Sequence, residues 1–255
     1  MSGEAPAARF ANTIVRDFIV VTCEHGGNRI PLEYAGLFRG WQPILRSHRG
    51  YDAGALVMAR DLATGLRAPL AASTVSRLLV DLNRSPSNPR VWSDATRSLT
   101  PSDKERVLQG HYAPYHAMVA AIVGKAVASG RRVIHLSSHS FTPVLRGRTR
   151  TADVGLLYDP ERPGEMKLAA IWKTVFAEQH PRLRVRRNYP YAGNGDGLTR
   201  SLRRSFPPKR YVGIELELNQ ALVLGDAKTW RALRRGVVAT LQAALRRFSS
   251  VRSAR

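Results

Sequence analysis

Apolar runs that stop abruptly at polar residues recur along the chain and set its predicted elements. Phe18-Ile19-Val20-Val21-Thr22-Cys23 is a β-branched run that ends in Glu24-His25-Gly26-Gly27-Asn28. That is the composition of a buried parallel strand leading into a tight loop. Pro69 to Ala72 with Thr74 to Ser85, and Arg132 to Pro143, repeat the pattern, the first releasing Asp81, Asn83 and Arg84, the second ending in His139-Ser140-Phe141-Thr142-Pro143. Thr151 to Tyr158 predicts a further strand and Arg182 to Arg187 a short basic edge strand. In Tyr211 to Gln220, strict alternation puts Val212, Ile214, Leu216 and Leu218 on one face and Glu215, Glu217 and Asn219 on the other.

Helical periodicity fills the gaps. A short helix is predicted over Leu32 to Phe38 and an amphipathic one over Ala53 to Leu66, with Leu56, Ala59 and Leu62 on one face. Asp52 stands where a carboxylate would cap the second of these. Ser102 to Ala128 predicts a long helix with a capping box at Ser102-Asp103-Lys104-Glu105 and an interruption at Pro114. Further helices are predicted over Gly164 to Gln179 and Ala227 to Phe248. Strands alternating with helices predict an α/β fold around a mostly parallel sheet. Residues 1–15 read as a polar, Ala-rich, disordered lead-in, 16–248 as a single catalytic domain and 249–255 as a basic tail.

Composition narrows the class. An apolar fraction of 44% contains no stretch of the ~20 residues that a membrane span needs. The opening Met1-Ser2-Gly3-Glu4-Ala5-Pro6 lacks a secretory pattern, so a cytoplasmic protein is expected. The lone Cys23 can form no internal disulfide and, lying inside its strand, reads as a small core residue rather than a nucleophile. Forty basic residues against nineteen acidic ones give a net charge of +21. The arginines are spread along the whole chain with few aromatic residues between them, which favours a solvated Arg-rich surface over a nucleic-acid site. Nonspecific adhesion to polyanions at low salt is the expected side effect.

Candidate chemistry follows from the strand exits, which a parallel sheet gathers along one edge. That brings His25, Asp52, His139 and Glu217 into one neighbourhood. Two imidazoles and one carboxylate leave an open position on Zn²⁺, or another divalent metal, for activating water. A separate Glu would carry the proton to the leaving nitrogen. The chain has neither HExxH nor dense Cys/His spacing. His135, deeper in its run, reads as structural, and His111 and His116 as surface or packing residues of a helix. Arg84 offers a planar fork for a carboxylate and Asn83 a neutral hydrogen bond, unless the pair serves a salt-bridged turn. The turn-dense stretch Asn188 to Thr199 could close over a ligand, which makes Asn188, Tyr191 and Asp196 candidate substrate contacts.

Taken together, seven segments resemble the N-formylglutamate amidohydrolase family. They are Glu24-His25-Gly26-Gly27-Asn28-Arg29-Ile30-Pro31, His48 with Gly50-Tyr51-Asp52-Ala53-Gly54-Ala55, Asp81-Leu82-Asn83-Arg84, His139-Ser140-Phe141-Thr142-Pro143, Gly155-Leu156-Leu157-Tyr158, Asn188-Tyr189-Pro190-Tyr191 and Glu217-Leu218-Asn219-Gln220. They run in order from about residue 18 to 225. The family is related to the zinc carboxypeptidases and the succinylglutamate desuccinylases. The resemblance implies a three-layer α/β/α, zinc-exopeptidase-like fold with a mostly parallel mixed sheet, and hydrolysis of an N-acyl amide such as N-formyl-L-glutamate.

It makes His25 and His139 metal ligands, Glu217 the general base, and Asn83 with Arg84 the holders of a substrate carboxylate. Zinc carboxypeptidases place a Glu three residues after the first His, where this chain has Asn28. Asp52 is therefore taken as the third ligand, with Glu24 as the alternative, and Glu215 is the second candidate base. The expected partner is a small N-acyl amino acid, with no specific nucleic acid and no membrane. A deacylase or amidase for another N-acyl amino acid or a peptidoglycan fragment is the rival within enzymes. A non-catalytic polyanion-binding module is the rival outside them.

Overall fold

The structure is a computed structural model that describes residues 17–253. The lead-in expected over 1–15 lies outside the described residues, as do the last two residues of the basic tail. Strands β1 (Phe18–Cys23), β2 (Leu70–Ala72), β3 (Val133–Phe141), β4 (Val144–Leu145), β5 (Arg148–Thr149), β6 (Val154–Leu157), β7 (Val185–Arg187) and β8 (Tyr211–Asn219) alternate with helices. The helices are α1 (Gln42–Leu45), α2 (Ala55–Leu66), α3 (Pro101–Val107), α4 (Ala113–Ala128), α5 (Pro163–Gln179), α6 (Leu198–Ser205), α7 (Gln220–Val223) and α8 (Ala227–Ser253).

Among the described residues the main sheet has the order β2-β1-β3-β8-β6-β7, and β4 and β5 form a separate hairpin. The sheet is parallel from β2 through β8 and again between β6 and β7, but β6 runs antiparallel to β8. This is the mostly parallel, mixed sheet expected. Helices α2, α5 and α8 bury Met58, Leu62, Trp172, Phe176, Val237 and Leu241 against one face. On the other face α4 and α6 pack Val119, Val123, Leu198 and Leu202 against Val20, Val133 and Tyr211. Each large side chain so buried is worth ~1.5–3 kcal/mol relative to exposure, which is what ties the two helical layers to the sheet. No helix of the described residues is long and apolar enough to cross a membrane.

Three expectations fail for local reasons. Of the second apolar run, Leu70–Ala72 forms β2, but Thr74 to Ser85 is not a strand. Its apolar residues Leu78, Leu79, Val80 and Leu82 are buried, but beneath a turn in which Ser76 Oγ accepts from Leu78 N at 3.2 Å and donates to the Gly50 carbonyl at 2.8 Å. The long helix is capped by Thr100, whose Oγ1 accepts from Asp103 N at 3.1 Å, rather than by Ser102. Its interruption is a π-helical turn over Leu108–Tyr112 that ends where Pro114 enters the first turn of α4. The last helix continues past Phe248 to Ser253, into the stretch expected as a tail.

Candidate active site

The site is built on the central strands, all nine residues of β3 being buried although five of them are Ser or His. Buried hydroxyls and imidazoles need partners, and the neighbouring elements supply them. His25 follows β1, and the loop bearing it approaches residues 73 and 74 so closely that a side chain on Gly27 would lie 2.6 Å from the Thr74 carbonyl. Gly26 N donates to the Ser73 carbonyl at 3.0 Å, and the Asp52 N–H to the His25 carbonyl at 3.0 Å. Asp52 therefore turns inward instead of capping α2, whose first residues show no side-chain cap. In β8, Glu217 lies directly opposite His139 of β3 and Glu215 opposite Ser137.

His25, Asp52 and His139 are all buried, with one potential ligand atom from each lying within 4.8 Å of the others. A carboxylate only accepts, so the 2.7 Å contact from His25 Nε2 to Asp81 Oδ1 puts the ring proton on Nε2. His25 Nδ1 then faces the cluster, 3.5 Å from Asp52 Oδ2 and without a hydrogen-bond partner among the described residues. His139 Nδ1 lies 2.8 Å from Asp52 Oδ2, while its Nε2 meets Glu24 Oε2 at 2.9 Å and Ser137 Oγ at 2.8 Å. Each imidazole thus has a carboxylate behind its Nε2 that orients the ring, the arrangement that commonly supports metal-ligating histidines. Glu24 is that outer partner for His139, and Tyr115 OH holds its second oxygen at 3.0 Å.

Charge follows geometry. Burial opposes ionisation of Asp52, but His25, His139 and Arg77 outweigh it and hold the carboxyl well below its usual range. The same holds for Asp81, with Arg77 the strongest counterweight. Burial likewise opposes a charged His139, yet Asp52 and Glu24 raise it well above an ordinary imidazole. A cation bound here would replace the Nδ1 proton. Glu217 behaves oppositely: burial, with Asp52 and Glu215 adding to it against His139, pushes its carboxyl up to about 8. Its Oε2 is buried with no partner among the described residues. Glu215, by contrast, accepts from Thr199 Oγ1.

The remaining sequence candidates make contacts of their own, outside the His25, Asp52 and His139 cluster. Asn83 Oδ1 accepts from Leu198 N at 2.8 Å, fixing the start of α6. Arg84 Nη1 donates to the carbonyls of Asn83 at 2.7 Å and Asp196 at 2.9 Å, and its other guanidinium nitrogens have no partner among the described residues. Asp196 Oδ2 accepts from Ser85 N and Asn88 Nδ2, and Asn188 Oδ1 from Tyr158 N and Gly193 N. Both hold loops together. Tyr191 is exposed, with the Arg150 guanidinium 4.9 Å from its ring centroid.

The sequence reading missed Arg77, which bridges Asp52 at 3.2 Å and Asp81 at 2.8 Å, and it gave Asp81 no link to His25. It also missed Tyr112 and His116, stacked at 4.1 Å, which brace the Arg84 and Leu82 carbonyls at 2.8 and 2.9 Å. Their only sequence signal is the i, i+4 spacing beside Pro114.

Residues 18–224 match the family model described as N-formylglutamate amidohydrolase. No curated protein matches the chain. The crystal structure of the gene product Atu2144 from Agrobacterium tumefaciens is similar over 93% of each chain, at 30% identity and a TM-score of 0.79. The crystal structure of N-formylglutamate amidohydrolase from Ralstonia eutropha JMP134 is similar in fold over 94% of this chain and 96% of that one, at 20% identity and a TM-score of 0.67.

Proposed function

The chain belongs to the N-formylglutamate amidohydrolase family, and from that premise we propose that it is a metal-dependent hydrolase that removes the formyl group of an acidic N-acyl amino acid such as N-formyl-L-glutamate. The observation that carries the reading is a pair of buried, partnerless atoms, His25 Nδ1 and Glu217 Oε2, in one cluster. An unpartnered buried polar atom costs ~1–3 kcal/mol, and a metal with its substrate would give both a task.

His25, Asp52 and His139 would hold Zn²⁺, or another divalent cation; a tetrahedral ion with three protein ligands keeps one position open. Bound there, it would supply Lewis acidity that activates water and polarises the scissile carbonyl. Asp81 and Glu24 keep the two imidazoles oriented and their Nε2 protons in place. Glu217 Oε2 takes the proton of the attacking water and delivers it to the amide nitrogen as the C–N bond breaks. A carboxyl poised near 8 is suited to both transfers, although a nearby cation would lower it. Arg84 presents its unpartnered guanidinium edge to a substrate carboxylate beside Asn83, and the exposed Tyr191 would offer a further contact. The other three candidate contacts act through the loops they hold.

The amide rival changes only the acyl group or amino acid. The polyanion-binding rival leaves both partnerless atoms without a role. The test is release of L-glutamate and formate from N-formyl-L-glutamate by zinc-loaded protein, with Glu217→Gln alongside. Turnover in wild type and its loss in a folded variant support the reading. Wild type inactive on N-formyl, N-acetyl and N-succinyl amino acids alike would overturn it.

A further inference from the structure

A cavity of about 620 Å³ adjoins the cluster and shares Arg77 and Asp81 with it. Its wall carries Arg49, Arg77, Arg90, Arg97 and Lys104 against Asp81 and Asp94, an excess of three positive charges. Both carboxylates are already engaged. Asp81 is held by Arg77 and His25, and Asp94 by Arg49 at 3.1 Å and Arg97 at 2.5 Å. The Arg90 guanidinium has no carboxylate partner among the described residues. Lys104 Nζ meets the Arg97 carbonyl at 2.6 Å and lies 5.8 Å from the Trp92 ring centroid. These cations come from separate parts of the chain, the segment before α2, the loop from Arg77 to Arg97, and α3. Convergence of this kind is a property of the fold rather than of one basic run. Low-dielectric walls focus such a potential on whatever enters.

Volume adds a second constraint. At ~30 Å³ per water the cavity holds about twenty water-sized positions, which places it within the range of ~300–1,000 Å³ typical of small-molecule sites. A formyl amino acid, with roughly half that number of non-hydrogen atoms, would leave much of it to solvent.

We propose that this cavity receives an acidic continuation of the substrate, so that the preferred substrate is an N-acyl acidic peptide, of which N-formyl-L-glutamyl-L-glutamate is the simplest probe. The inference rests on the amidohydrolase reading for the reaction, and on charge and volume alone for the ligand. In it, Arg90 and Lys104 bind the added carboxylates, and Trp92 and Leu78 supply apolar wall beside them.

The experiment has two parts. First, kcat/KM of the zinc-loaded enzyme is compared for N-formyl-L-glutamate, N-formyl-L-glutamyl-L-glutamate and the neutral N-formyl-L-glutaminyl-L-glutamine. The acidic dipeptide should exceed both others about ten-fold, as expected if charge-assisted contacts are made. That advantage should shrink by a similar factor in Arg90→Gln/Lys104→Gln and at high salt. Equal values for the three substrates, or a neutral dipeptide as good as the acidic one, would overturn the proposal while leaving the amidohydrolase reading intact. Second, calorimetry follows binding of L-glutamyl-L-glutamate itself. If nothing is hydrolysed, salt-sensitive binding that is weakened in the double variant still supports the pocket assignment. Absence of binding to wild type at low salt would defeat it.

Discussion

Two clusters of buried charge sit in this molecule, and they are satisfied very differently. Glu165, Arg203 and Arg162 form the first. Glu165 accepts from Asp159 N and Gly213 N and pairs with Arg203 at 2.9 Å. Arg203 donates further to the Gly193 and Gly213 carbonyls, and Arg162 to those of Tyr211, Arg203 and Phe206. None of their fully buried side-chain polar atoms lacks a partner among the described residues. In the second cluster, His25 Nδ1 and Glu217 Oε2 are left over. The same contrast appears within one strand: His135 has neutral hydroxyls of Thr22 and Tyr211 on its two nitrogens and is lowered by burial to about 4, while His139 lies between carboxylates and is raised. Closed networks hold the fold. The open one is where the proposed cation would bind.

The largest expected effect breaks the open cluster. Glu217→Gln should lower kcat by ~10²–10⁴ in zinc-loaded protein, read from formate release, while zinc content stays at the wild-type level. In metal-free protein the same variant should be the more stable one at high pH. Its folded-state carboxyl is raised to about 8 from an ordinary value near 4.5. The stability of the neutral form is fully present below the unfolded value and is lost as pH rises through about 8. At ~1.4 kcal/mol per tenfold change in proton affinity, wild type should fall behind by several kcal/mol at pH ~9, with the gap closing toward pH ~4.5 in chemical denaturation.

Breaking the closed cluster with Arg203→Met leaves Glu165 buried and unpaired, and should destabilise by ~3–5 kcal/mol in denaturant titration without abolishing zinc binding. Asp81→Asn removes the carboxylate behind His25 and should weaken zinc affinity ~10–100-fold, measured by competition with a chelator. The smallest effect belongs to Tyr112→Phe. Loss of its hydrogen bond to the Arg84 carbonyl should cost ~1 kcal/mol in thermal unfolding, with KM rising more than kcat falls.

Much of this was legible in the sequence because strand exits carry their own signature. β1 is an apolar run that His25 follows within two residues, while His139 and Glu217 lie two residues before the ends of β3 and β8, paired in the ladder, and a parallel sheet brings such positions to one edge whatever the loops do. Asp52 was legible as a residue at a helix start, but not the direction of its carboxylate, which depends on His139 arriving from 87 positions away. Thr74 to Leu82 misled because periodicity cannot distinguish a short buried strand from apolar residues folded under a turn. Arg203 read as one more solvated arginine among those from Arg200 to Arg210. Only the short amphipathic helix α6, with Leu198 and Leu202 buried beside it, carries Arg203 inward. Partner choice of this kind is a tertiary property, and single-residue patterning holds no record of it.

Whether His25, Asp52 and His139 form a metal site is decided by the metal content of protein purified without chelator, wild type beside His25→Ala and His139→Ala, each checked for folding by circular dichroism. About one zinc, or another divalent ion, is expected per wild-type chain, and none in either folded variant. Wild type that holds no metal even after zinc is added, or variants that retain it at full stoichiometry, would rule out this site.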